Sequence, residues 1–487
     1  MSRRLSSISP ASVWTLFEDL SAIPRPSGAE KACVDFICQR LGPHATSVVT
    51  DSAGNLVIRI PPRQAFEKAP TLILQSHLDM VTEKNLDSDH DFRRDPIRPR
   101  VVDDWVCASG TTLGADNGLG VAMIIALAES DQPHGTLELL FTVEEETGLV
   151  GASRLDPSLL TGKWLVNLDS EEDGTIYIGC AGGADIQLNL PVQRQPIDAG
   201  ATVYTLRLAG LIGGHSGLDI HRNRANAIRS LVALLRPGVE NHQLRLIALT
   251  GGNKRNAIPR ECAAVVAMAK NQLEELRSSL EAARNDLAVE YTGSDDRFDF
   301  KIEPSATPVM GRLADDSARR LINLLLALPH GVATLSRTMP DLVETSSNIA
   351  TVTTESDLVE TTVSCRSSQS IALQSIQRQI LACSQLADAR TTLYDKYPGW
   401  QPNPDSTLLK LASHVYTERV KRPVKTKAIH AGLECGILSE RLGGVDAISF
   451  GPQIEGAHSP DERVNIPSTA RCFTFLQALV AAIARID

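Results

Sequence analysis

The chain has no Cys-x-x-Cys pair. Its nine cysteines, an odd number, are scattered from Cys33 to Cys472, which indicates neither a zinc ribbon nor a disulfide framework and leaves most of the thiols as reduced core residues. Aromatic residues make up only 4%, so stacking platforms for single-stranded nucleic acid are few. Positive charge is short as well. Against 58 Asp and Glu there are 48 Lys and Arg, a net charge of -10, and such a surface repels phosphate backbones and anionic lipid. Apolar runs such as VAMIIALA (121–128) and LVAAIA (479–484) fall well below the ~20 residues that span a bilayer. The opening MSRRLSSISP has neither the apolar stretch nor the cleavage site of a signal peptide. The expectation is a cytoplasmic chain with neither nucleic acid nor membrane as partner.

Several catalytic signatures are missing too. GGHSGL (213–218) does not supply the second glycine of a G-x-S-x-G nucleophile turn. There is no H-E-x-x-H for a single-zinc protease. Gly162-Lys163 is followed by Trp164 rather than Ser or Thr, so no P-loop is present, and LGADNGLG (113–120) is not the G-x-G-x-x-G of a dinucleotide fold.

What is present is bulk and rhythm. The 487 residues, 43% hydrophobic and 22% charged, suit a globular chain of two large or three smaller units. The first part alternates helix and strand signals: a helix at 29–42, strands at 54–60 and 71–76, a buried helix at 118–130, strands at 136–143 and 164–169. That rhythm argues for an open α/β sheet. Near residue 195 it changes to strand (203–210), helix (223–235), two strands (243–250, 262–269), helix (271–288) and strand (299–303), the ferredoxin-like order. A related succession follows, with helices at 315–328 and 370–386 around a hairpin at 348–367, and then a short strand near 390. From 400 the α/β rhythm resumes. The expectation is a discontinuous catalytic domain, 1–194 and 398–487, with a mixed sheet and flanking helices, interrupted at 195–397 by an α+β lid domain of ferredoxin-like modules.

Acidic and imidazole residues fall at the ends of the expected strands. His77 and Asp79 follow TLILQS, Glu144–Glu146 follow TLELLFTV, Asp169 closes WLVNLD, His458 lies in the loop after DAISFG, and Asp116 starts the buried helix. In an open α/β sheet ligands bind beyond the carboxyl ends of the strands. Two imidazoles and several carboxylates meeting there have the composition of a divalent-metal site. Asp116 is the natural bridge between two ions, one taking His77 and Asp169, the other Glu146 and His458. Two Zn²⁺ ions, three carboxylates and a bridging hydroxide make a neutral centre. Asp79, two residues from His77, suits the carboxylate that fixes a ligating imidazole. Glu145 is left as general base on the metal-bound water. Ligand type does not choose between zinc, the first candidate, and cobalt or manganese.

These residues also carry a resemblance. SHLDM (76–80), GTTLGADNGLG (110–120), EEETG (144–148), NLDSEEDG (167–174), GGHSG (213–217), NAIPRE (256–261), YPGWQP (397–402), HAGLECG (430–436) and GPQIEGAHSPDE (451–462) run in order along the chain. Together they resemble the aminoacyl-histidine dipeptidases, or cytosolic non-specific dipeptidases, of the co-catalytic zinc aminopeptidase and carboxypeptidase superfamily. The resemblance implies Glu145 as base and Glu146 as ligand, aligned on Gly148, and a cis peptide between Asp116 and Asn117. It places a carbonyl-polarising role on His215, substrate binding on Asn256, the substrate's C-terminal carboxylate on Arg366 and, by analogy with the carnosinases, its free α-amine on Glu434. His430 stays open because it shares a motif with Glu434. The implied activity is hydrolysis of small peptides, dipeptides with a free amino terminus and Xaa-His among them. An N-acyl amino acid deacylase or carboxypeptidase on the same fold is the alternative, with an inactive metal-binding scaffold behind it. Monomer and homodimer stay open.

Overall fold

LILQSH, buried at each of its six positions, runs through the middle of the first of two compact units. A strand covered on both faces reads as a continuous apolar run rather than an alternation. In the computed structural model, which describes residues 5–63, 65–295, 298–305 and 311–486, the first unit takes the chain up to Cys180, then Trp400–Ala428 and Leu433–Asp487. Its sheet has β1 (Ser47–Thr50), β2 (Leu56–Ile60), β3 (Leu72–His77), β4 (Leu137–Thr142), β5 (Trp164–Asn167), β6 (Thr175–Cys180), β7 (Lys425–Ile429) and β8 (Asp446–Ser449). Their order is β1-β2-β4-β3-β5-β8-β6-β7. The central four, β4-β3-β5-β8, are parallel, and β1, β2 and β6 join antiparallel. This is the expected mixed α/β sheet with flanking helices.

The helix Ala115–Ala128 is buried at every position except Asp116, as an all-apolar helix must be in a globular core. It packs between β3 and the helix Ala11–Ser21, an element the sequence reading did not anticipate. Ile466–Ile483 is, among the described residues, the one helix long and apolar enough to cross a bilayer. It passes by average hydropathy alone, since Thr469, Cys472, Phe473, Phe475, Leu476, Leu479 and Val480 are buried and the helix packs on Thr407–Val420 as part of the core.

The second unit comprises Ala181–Gly399 and Ile429–Gly432. Its antiparallel sheet runs Asp299–Pro304, Ala201–Ala209, Cys262–Ala269, Arg245–Gly251, Val343–Thr354, Leu358–Ser367, Gly182–Pro191, Arg390–Tyr397, with Gly331–Leu335 beside Val343–Thr354. The helix expected from residue 223 starts at Ala227 instead. Asn226 caps it, its side chain accepting from the backbone N–H groups of Ile228 and Arg229, and it continues through Pro237 to Glu240.

Candidate metal centre

The four parallel strands finish at one edge of the sheet, and each delivers an acid or an imidazole there. His77 is the last residue of β3. Beyond β4 the chain turns at Glu144, whose φ is 50°, and presents Glu145 and Glu146. Asp169 stands two residues past β5. Beyond β8 the chain enters a small four-stranded sheet of Ile454–Glu455, Arg463–Asn465, Trp105–Cys107 and Arg100–Val102. His458, at φ 61°, lies between the first two of those strands. Asp116 comes from the start of the buried helix, where the Asp116–Asn117 peptide is cis.

Asp116 turns one carboxylate oxygen toward each imidazole. Its Oδ1 is 3.0 Å from His77 Nε2, and its Oδ2 is 3.1 Å from His458 Nε2. His77 Nε2 is also 3.3 Å from Asp169 Oδ1, and His458 Nε2 is 3.2 Å from Glu146 Oε2. Two triads result, His77/Asp116/Asp169 and Asp116/Glu146/His458, each with its ligand-type atoms within 4.8 Å of one another. Ligands bound tetrahedrally at ~2.0–2.1 Å stand about 3.3 Å apart, close to the separations found. Glu146 Oε1 is buried with no hydrogen-bond partner among the described residues. A nitrogen and oxygen donor set with an orphaned carboxylate oxygen fits divalent cations.

The imidazoles and carboxylates of the cluster shift one another's affinity for protons. His458 is pushed up to about 11 by its hydrogen bonds to Asp116 and Glu146. Burial opposes a charge on His77, yet the nearby Asp169 charge and hydrogen bonds to Asp116, Asp169 and Asp79 carry it well above the ordinary imidazole value. Burial would also raise Asp116, but the two imidazoles hold it well below the usual carboxylate range. Burial lifts Asp169 to about 6, with the neighbouring Asp116 and Glu146 charges adding to the effect.

Glu145 is raised well above the usual carboxyl value, by burial first and then by the charges of Asp169, Glu146 and Glu434. Its environment favours a bound proton. Asp79, fully buried, holds the segment carrying it. Asp79 Oδ1 and Oδ2 accept from the backbone N–H groups of Glu145 and Glu146, both at 3.1 Å; Oδ2 also accepts from Ser27 Oγ at 2.7 Å, and Oδ1 is 3.3 Å from His77 Nδ1. One carboxylate thus orients an imidazole and fixes a turn.

Other supports escaped the sequence reading. Glu462, 2% exposed, accepts the backbone N–H groups of Leu113 and Gly114 on Oε2 at 2.7 and 2.9 Å, and those of Ala115 and Asp116 on Oε1 at 2.7 and 3.2 Å. A carboxylate seated on a helix N-terminus meets both its free donors and its dipole. It ties the His458 hairpin to the segment bearing Asp116. Arg25 donates to the carbonyls of Leu78, Asp79 and Gly114 at 2.9, 3.1 and 2.6 Å. Asn117 Nδ2 donates to Asp169, and Glu30 accepts from the Glu144 N–H at 3.0 Å. Of these four, Glu462 and Asn117 stand in motifs quoted above, and Arg25 and Glu30 in none.

Glu434 opens the helix Glu434–Arg441 and is fully buried. Its Oε2 accepts from Gln75 Nε2 at 2.6 Å and Thr142 Oγ1 at 2.7 Å, and its Oε1 has no hydrogen-bond partner among the described residues. Burial, with Asp169 and Asp79 close by, pushes its carboxyl up to about 8.

The remaining expected residues belong to the second unit. His215 sits in the short strand Gly214–His215, paired with Ala257–Ile258, and the Asn256 carbonyl accepts from the Ser216 N–H at 2.8 Å. Arg366 lies on Leu358–Ser367. A Cβ added to Gly217 would fall 2.2 Å from the His430 carbonyl oxygen, 3.1 Å from His215 Cε1 and 3.3 Å from Arg366 Cδ. Only glycine leaves these three so close. His430, buried, is held by Ser346 Oγ at 2.7 Å from Nε2, and burial followed by the Arg366 charge pushes its imidazole down to about 3.

Comparison with known proteins agrees with this architecture. The chain is 38% identical over 480 residues to the cytosol non-specific dipeptidase of Escherichia coli, covering 98% of this chain and 99% of that protein. The crystal structure of aminoacylhistidine dipeptidase from Vibrio alginolyticus superposes with a TM-score of 0.88 at 36% identity, covering 98% of this chain and 97% of that one. The aminopeptidase PepT of Bacillus cereus, at 15% identity and a TM-score of 0.58 over 98% of this chain and 100% of its own, shares the fold. Residues 73–482 match the model of peptidase family M20/M25/M40, and the chain belongs to that family.

Proposed function

We propose that this chain is a metal-dependent dipeptidase of the cytoplasm that cleaves dipeptides with a free amino terminus, Xaa-His dipeptides included. The observation that carries the reading is Asp116, with one carboxylate oxygen on each of two imidazoles. His77, Asp116 and Asp169 would hold one divalent cation and Asp116, Glu146 and His458 a second, zinc first and cobalt or manganese as alternatives. Bound there, the cations supply Lewis acidity that acidifies water and polarises the scissile carbonyl. Glu145, raised by burial, takes a proton from the attacking water and returns it to the leaving amine. Asp79 fixes the ring of His77. His215 stabilises charge that develops on the carbonyl oxygen, and Asn256 binds the substrate backbone. Arg366 pairs with the C-terminal carboxylate; the orphaned Oε1 of Glu434 receives the α-amine.

The test is a panel of one dipeptide, its N-acetylated form and its C-terminal amide, assayed with measured metal content. The expected result is about two cations per chain and kcat/KM for the free dipeptide at least about 10²-fold above the N-acetylated form, the scale set by leaving a buried carboxylate unpaired. Equal hydrolysis of the N-acetylated form would transfer the chain to the deacylases and carboxypeptidases. No hydrolysis of any of them by metal-loaded protein would leave a scaffold.

Cation binding must also displace protons. The carboxylates around His77 and His458 favour a proton on each imidazole, which a cation would have to replace. Metal affinity should therefore climb with pH. Calorimetry at pH 7 in buffers of different ionisation enthalpy should count at least about two protons released per chain. A count near zero would show that the imidazoles are not ligands.

A further inference from the structure

A row of four residues crosses the sheet of the second unit. Ser346 stands opposite Arg366, Arg366 opposite Gly183, and Gly183 opposite Tyr397. Directly paired side chains share one face of a sheet, their Cβ atoms about 4.5–5.5 Å apart. The row has a gap at Gly183. A Cβ built there would lie 2.6 Å from both Cζ and Oη of Tyr397, well inside van der Waals contact, so only glycine admits the phenol ring across the strand. Through that gap Tyr397 Oη accepts a 2.6 Å hydrogen bond from Arg366 Nη1.

The register makes the arrangement specific. Tyr394 pairs with Asp185, but the next pair is Tyr397 with Gly183, three residues on one strand against two on the other. A bulged residue re-aims the side chains beyond it, and Asp395, at φ 46°, lies in the bulge. Without it Lys396 would face Gly183 and set an ammonium beside the guanidinium. With it, a neutral acceptor is there instead. Arg366 is 8% exposed, forms no ion pair among the described residues, and its Nε is buried without a hydrogen-bond partner. A guanidinium held from one side by a phenol and left without an acid is set up to receive one.

We propose that Tyr397 is a positioning residue that sets the preference for a free C-terminal carboxylate, by fixing Arg366 in the orientation that meets that carboxylate with two parallel donors. This rests on Arg366 as the carboxylate's partner. Tyr397→Phe keeps the ring and removes the acceptor. Its KM for a dipeptide should rise about five- to tenfold with kcat changed less than about twofold, while kcat/KM for the dipeptide amide stays at the wild-type value. In an Arg366→Ala background the same change should add nothing, because both substitutions act on one contact. Should Tyr397→Phe depress acid and amide alike, or add its full effect on top of Arg366→Ala, the positioning role is wrong. If the wild type does not prefer acid over amide, or Arg366→Ala preserves that preference, the Arg366 reading falls and this inference with it. If the wild type prefers acid over amide, Arg366→Ala abolishes that preference and Tyr397→Phe leaves it intact, this inference alone falls.

Discussion

The Glu145→Gln enzyme should turn over a dipeptide about 10²–10⁴-fold more slowly than the wild type, with its metal content unchanged. Glutamine preserves the shape of the side chain and the backbone N–H that Asp79 accepts at 3.1 Å, so the turn that presents Glu146 keeps its form. What is lost is the group that can take up and release a proton. Burial and the charges of Asp169, Glu146 and Glu434 favour the proton-bound form of Glu145, and a carboxyl raised in this way works closer to neutral pH than an ordinary one. A base that must accept a proton from water and hand it on benefits from that match. Steady-state kcat together with elemental analysis of the same samples decides the point. A variant with full metal and more than about half the wild-type kcat would remove Glu145 from the chemistry.

How far the sequence leads depends on the range of the interaction. The apolar runs at β3, β4 and β5 read directly as covered strands, and the residues after them could be listed before any coordinates. A parallel sheet brings the loops after its strands to one edge, so strand type and chain position alone gather His77, Glu146 and Asp169 near one another. Asp116 and His458 follow less directly, through the start of a buried helix and a hairpin held by its own small sheet. The supports follow hardly at all. Glu462 acts on backbone N–H groups 346 to 349 positions earlier, and any residue type offers such groups, so nothing at 113–116 advertises the partner. Arg25 works the same way, through carbonyls. Gly182–Pro191 has the alternation of a half-buried strand, but alternation does not say which sheet it joins. Its partners, Leu358–Ser367 and Arg390–Tyr397, lie far along the chain. Tyr397 was visible only as a letter of YPGWQP, because its role needs a bulge and a glycine on a different strand.

Asp116→Asn should cost both cations. Changing even an outer partner of a metal ligand lowers affinity or activity about 10–100-fold, and Asp116 belongs to both triads, so each cation should bind at least about 10²-fold more weakly and kcat/KM fall below about 1% of wild type. The fold should survive, because what anchors this segment is the grip of Glu462 on the backbone, which a change of side chain at Asp116 does not touch. The metal-free variant should differ in its protons too. In the wild type the Asp116 carboxylate, itself held low, helps keep His458 near 11 and His77 raised. A raised imidazole stabilises the fold fully below its unfolded value of ~6.5 and loses that contribution as pH climbs through the folded one. Without the carboxylate the folded values drop. The variant's deficit in chelator should therefore be largest at and below about pH 6.5, where the wild-type imidazoles are fully charged and paired, and fade toward pH 11. Thermal melts in chelator across that range, with metal counts at pH 7, test both halves. A variant that retained two cations and half its activity would mean that the two triads are not joined through this side chain.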